Sequence, residues 1–215
     1  LDRRGGRYSC SGTPANGWVR WREHDWSADA VQQLRGTVPM PRTGAAATNG
    51  HCLRAVHAPV LAGVAAPARV IALLRGFMHT GADGQPRIAR AAQFFAVQAG
   101  LAQLRRIDTQ GCRGRGLVQL AAGAGMALTW HWLVQHVQRD PWLRHCRVLL
   151  VQECPAVTPL PATRGEPALS PGRRLAAFMA DGRGCTLQTT PGTLQAWLRR
   201  RDAGHDGDDL IVLVD

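Results

Sequence analysis

Gly116-Leu117-Val118-Gln119-Leu120-Ala121-Ala122-Gly123-Ala124-Gly125-Met126-Ala127-Leu128-Thr129-Trp130 is the stretch whose reading decides the fold. Residues 116–121 are a short apolar run and read as a buried strand. Gly123-Ala124-Gly125 is a permissive loop, because glycine adopts backbone conformations closed to other residues. Met126, Trp130, Leu133, Val134 and Val137 then recur at helical spacing until Asp140-Pro141 stops the helix. A strand, a glycine loop and a helix form a phosphate cradle. The N–H groups at the helix start point at an anion, and the helix dipole favours negative charge there. A working phosphate loop also needs a lysine for the β/γ-phosphates and a hydroxyl for Mg²⁺. Met126 and Ala127 occupy those two positions.

Downstream the pattern alternates. Arg147–Val151 is a continuous apolar run of the kind buried on both faces of a parallel sheet. A Pro-rich stretch follows, then a short helix near Leu175–Ala180, a strand at Cys185–Thr189 and a helix around Leu194–Arg200. A turn at Asp206–Asp209 leads into the strand Leu210–Val214, which Asp215 closes. Strand and helix in alternation predict an α/β lobe with a parallel sheet. The strand at 116–121 is expected beside the one that ends at Asp215.

Upstream, a helix opens at Pro67, with Val70, Ile71, Leu74 and Phe77 as its apolar stripe. Gly81-Ala82-Asp83-Gly84 is a turn. A second helix runs from about Arg87 to Arg106, with Phe94, Val97, Leu101 and Leu104 on one face. Residues 1–60 are mostly irregular. Trp18, Trp21 and Trp26 lie among charges there; such residues stack on bases in some proteins, but a small satellite core is the simpler expectation. The chain thus divides into an irregular segment 1–60, a helical segment 61–110 and an α/β lobe 111–215.

The chain has 215 residues, 45% of them apolar, and a formal net charge of +11. All 26 basic residues other than histidine are arginine. Such a charge is the electrostatic footprint of a polyanion partner, although coding bias also yields an all-arginine composition. The arginines at 105–106, 113, 115 and 199–201 fall at helix ends or in loops. There, phosphate contact and simple compensation of the helix dipole are equal readings. The six cysteines form no C-x-x-C pair, so reduced thiols in a cytosolic protein are expected. Residues 1–6 carry no secretory signal, and no apolar run is long enough for a membrane span. His131 and His136 are five residues apart, about 140° around a helix. They do not share a face, so they do not form a metal site with His145 and Cys146.

From about Leu61 onward the chain resembles the motor (restriction) subunit of type I restriction–modification enzymes, a helicase-like P-loop DNA translocase. Five segments carry the likeness. PARVIALLRGFM resembles a helix-and-strand segment of the family. RIARAAQFFAVQAGLAQL is similar to its glutamine motif. GRGLVQLAAGAGMALT resembles its P-loop, through Gly123, Gly125, Leu128 and Thr129. CTLQTTPGTL matches a family segment through Thr189 and Thr190, and LIVLVD resembles the strand before D-E-A-H.

The resemblance implies an incomplete RecA-like lobe. Gln93 would read adenine, and Gly123, Ala124, Gly125, Met126 and Ala127 would cradle ATP. Asp215 would hold Mg²⁺, while Thr189 and Thr190 would touch the DNA backbone. It further implies double-stranded DNA, the specificity and methylation subunits as partners, and a cytoplasmic setting. The departures are chemical. The family lysine and hydroxyl are Met126 and Ala127, Ala91 stands where an aromatic precedes the glutamine, and Glu153-Cys154-Pro155-Ala156-Val157 replaces a D-R-x-D-L-like segment. Binding without turnover is the expectation. The alternative is a non-catalytic DNA-binding or assembly module that keeps the P-loop fold.

Overall fold

The structure, a computed structural model, describes residues 7–13, 18–21, 63–64, 66–81, 83–109, 111–153, 170–180, 185–200 and 210–214. Trp26, the Pro-rich stretch after Glu153, the Asp206–Asp209 turn and Asp215 lie outside them. The chain forms two compact units, Leu1–Phe94 and Phe95–Asp215.

The first unit holds β1 (Arg7–Tyr8) and β2 (Val19–Arg20), paired antiparallel, and the helix α1 (Pro67–Gly76). A hairpin of β3 (Met78–Thr80) and β4 (Pro86–Ile88) follows. The Gly81–Gly84 turn connects its strands, and Asp83 accepts from the Gln85 N–H at 3.1 Å. The core is aromatic. Trp21 lies 5.6 Å from both Tyr8 and Phe94, and Phe77 lies 4.8 Å from Phe94. The Arg69 guanidinium sits 5.5 Å over the Trp21 ring. The Tyr8 hydroxyl donates to the Ala89 carbonyl at 2.6 Å. Trp21 is thus a satellite-core residue, as expected, whereas Trp18 is exposed.

Two expectations are corrected here. The apolar stripe of α1 is not Val70, Ile71, Leu74 and Phe77. Ile71 and Leu74 are exposed, and Leu73, Gly76 and Phe77 are buried, because the aromatic cluster selects the side that carries Phe77. The following helix, α2 (Ala91–Arg105), begins four residues later than expected, since Pro86–Ile88 pair with Met78–Thr80 instead.

α2 runs across the division between the units. In the second unit it approaches α3 (Met126–Arg139) closely. A methyl group at Gly100 would sit 3.4 Å from Leu133 Cδ1, in ordinary van der Waals contact. β5 (Arg147–Val151) is the centre of a three-stranded parallel sheet. The other elements are α4 (Pro171–Ala180), β6 (Thr186–Thr189), α5 (Pro191–Leu198) and β7 (Leu210–Val214). β6 and β7 flank β5, with Val151 in register with both Thr189 and Val214. Leu149 and Val151 pack with Leu175 and Phe178 of α4, and Leu194 and Trp197 of α5 join them. On the opposite face Val148 and Leu150 are equally buried. Gln138 of α3 donates to the Thr186 hydroxyl at 2.9 Å.

The strand expected at 116–121 does not form. No ladder bonds occur there, and Leu117 is 89% exposed. β7 pairs with β5 alone, so the expected neighbour of β7 is absent from the described sheet. The run has one β-branched residue, Val118, opens on Gly116 and has glycines at 114 and 123 on either side, so it is weakly disposed to a strand without a partner edge. Among the described residues no helix is long and apolar enough to cross a membrane.

α3 ends at Asp140, whose side chain is 3% exposed. It takes an ion pair from Arg105 and accepts from the Trp142 N–H at 2.8 Å. Burial raises the Asp140 pKa, but the Arg105 and backbone N–H contacts outweigh it and hold the group below the ordinary carboxylate range. A depressed folded pKa adds stability above the unfolded value of about 3.9 and loses it as pH falls through the folded value. Asp140→Asn should therefore cost about 1–2 kcal/mol in urea unfolding at pH 7. The gap from the unmodified chain should close as pH falls below about 4.

Candidate functional site

The glycine turn is held by an Ala124 N–H to Ala121 carbonyl bond of 2.9 Å. Gly123 (φ 74°) and Gly125 (φ 88°) both lie in the left-handed region, where a side chain would be strained. Gly125 is the N-cap of α3 and offers no side-chain cap. The first intrahelical bond runs from Thr129 N–H to Gly125 carbonyl at 3.1 Å. The N–H groups of residues 126–128 therefore have no acceptor within the helix, and they are the anion-binding element this turn offers.

The rest of a phosphate-loop site is missing from the described residues. No strand leads into the turn. Leu120 stands five residues before Gly125, where the G-x-x-x-x-G-K-[ST] pattern has its first glycine, a departure that reading from Gly123 onward overlooks. Met126 brings no charge. Ala127 brings no hydroxyl, and the nearest one on the helix, Thr129 Oγ1, donates back to the Gly125 carbonyl at 3.1 Å. The backbone suits an anion, but these side chains do not suit a nucleotide–magnesium pair. Among the described residues no group of three or more His, Cys, Asp or Glu could hold a metal. His131 is buried and pairs with Gln135 at 2.8 Å.

Gln93 belongs to the first unit and is 3% exposed. It is the third residue of α2, and its Oε1 accepts from the Arg90 N–H at 2.8 Å. This is the back-reaching half of a capping box, a structural task for the residue expected to read adenine.

Thr189, Thr190 and Gln152 do come together. The Gln152 N–H donates to the Thr189 carbonyl at 3.0 Å, and Gln188 Nε2 donates to Gln152 Oε1 at 2.8 Å. All leave the sheet at the carboxyl ends of its strands, where ligands bind in open α/β sheets. Thr189 is buried, and Thr190 caps α5, its Oγ1 accepting from the Thr193 N–H at 3.3 Å. The Thr190-Pro191-Gly192-Thr193 spacing was the sequence signal for that cap. Asp215 follows Val214 in the sequence and lies outside the described residues.

Gln93→Ala should lower thermal stability by about 1 kcal/mol, the worth of a cap. Gln93→Glu, which keeps the accepting oxygen, should restore most of it; calorimetric unfolding of both variants checks this.

Comparison of the chain with protein-family models, with curated proteins and with solved structures finds no match in any of the three.

Proposed function

We propose that this chain is a degenerate motor lobe of the type I restriction subunit kind, which binds double-stranded DNA and does not turn over ATP. The observation that carries the reading is the parallel sheet β6-β5-β7 with its connecting helices. β6 lies in the CTLQTTPGTL segment and β7 in LIVLVD, and the carboxyl ends of β5 and β6 gather Thr189, Thr190 and Gln152 at one edge, which supports the reading. A RecA-like lobe uses that edge for nucleotide and DNA phosphates. The net charge of +11 supports a phosphate-bearing partner. On this reading the chain works in the cytoplasm beside specificity and methylation subunits.

Turnover fails for an electrostatic reason. Phosphoryl transfer depends on preorganised charge around the β/γ-phosphates. Met126 and Ala127 remove a cation and a magnesium-binding hydroxyl, and the loss of one such donor alone costs on the order of 10²–10³ in rate. A second reading is a DNA-binding or assembly module that keeps the fold and binds no nucleotide. The missing strand before the glycine turn and Leu120 within it favour that variant.

Titration with a 30-bp duplex should give weak, sequence-independent binding that falls by orders of magnitude between about 50 and 200 mM salt. Phosphate release should stay at the no-protein level with or without the duplex. Met126→Lys with Ala127→Ser should raise Mg-ATP affinity in calorimetry before any turnover appears; no gain in affinity selects the second reading. DNA-stimulated phosphate release by the unmodified chain, or a flat salt response, overturns the proposal.

A further inference from the structure

The connection between α2 and α3 carries a surface that the strand-end site does not use. Residues 106–109 and 111–114 are drawn together by bonds across the connection. Ile107 bridges Arg113, the Gly114 N–H donates to the Arg106 carbonyl at 2.9 Å, and Asp108 Oδ1 accepts from the Cys112 N–H at 2.8 Å. The connection meets the turn that follows α3, with Arg113 Nη2 3.5 Å from His145 Nε2. That turn is rigid. Arg144 N–H donates to the Asp140 carbonyl at 2.9 Å, and Leu143 is fully buried beneath it.

Two properties make this surface unusual. Arg106, Arg113, Arg115 and Arg144 form no ion pair with any carboxylate among the described residues. Asp140, the buried acid nearby, is already taken by Arg105, which comes from the end of α2. In the same turn as Arg144, Trp142 is 75% exposed, the most open of the described tryptophans. An exposed indole on the turn that carries Arg144, and that Arg113 reaches through His145, offers a flat apolar face in the same loop cluster as guanidiniums that no described carboxylate neutralises.

We infer that this surface binds single-stranded nucleic acid, with a base stacked on Trp142 and the flanking phosphates held by Arg106, Arg113, Arg115 and Arg144. The indole decides between partners. A duplex keeps its bases in its own stack, so it would engage the arginines and leave Trp142 idle, whereas an unpaired strand uses both. The surface lies at the amino end of β5, the opposite edge of the sheet from Thr189 and Thr190, so it stands independently of the motor-lobe reading.

The test uses the full chain and three fluorescently followed ligands: a 20-nucleotide oligothymidine, a 20-bp duplex and inorganic polyphosphate. Trp142→Ala should weaken oligothymidine binding by roughly tenfold or more, as loss of one stacking partner does. It should leave polyphosphate binding unchanged, and Trp142→Phe should recover much of the loss. Arg115→Ala with Arg144→Ala should weaken both ligands and flatten the salt dependence for oligothymidine by about 1.4 in log–log slope. The three positions substituted in these variants, Arg115, Trp142 and Arg144, are exposed, so the core is untouched. Unchanged oligothymidine affinity in Trp142→Ala, an equal Trp142 dependence for the duplex, or no oligothymidine binding at about 50 mM salt would overturn the inference.

Discussion

Everything in the second unit depends on β5 being paired on both sides. Five consecutive residues, Arg147 to Val151, are buried, which is tolerable only because their backbone groups are satisfied by β6 on one side and β7 on the other. The same pairing fixes where chemistry can occur. Parallel strands in a common register bring Gln152, Thr189 and Thr190 to a single edge. It also leaves α4 and α5 to cover Leu149 and Val151, and the other face of the sheet to the side that α3 joins through Gln138.

The parts of the fold legible in the sequence were those whose signal was local and redundant. β5 is legible from the uninterrupted apolar run Val148–Val151, and α3 from its spacing together with the Asp140-Pro141 stop. The unreadable parts depended on distant partners. α1 has apolar residues on two sides, and nothing within it says that Phe77, just past its end, will meet Phe94, which in turn packs on Trp21. The run 116–121 looks like a strand in isolation, yet a strand exists only if an edge accepts it. The start of α2 is not legible locally, because Arg87 and Ile88 belong to a hairpin whose other strand lies eight or more residues away.

Site residues were less legible than elements, because one residue type serves two ends. Gln93 and Thr190 suit ligand reading and helix capping equally by composition, and only the bonds to Arg90 and from Thr193 identify the capping role in each. The glycines at 123 and 125 were readable, since their positive φ is what the residue type suggests. Trp142 carries no local signal of its own: Asp140-Pro141 places it after the end of α3, and only the fold shows that its indole stays in water.

Arg147 opens β5 with its guanidinium almost entirely buried, donating to the Met179 carbonyl at 2.6 Å near the end of α4. A buried cation without an acceptor is costly, so the Met179 carbonyl and the place of Arg147 in β5 support each other. One side chain thereby ties the central strand to a helix some thirty residues later, and loosening the end of α4 would strand that charge at the start of β5.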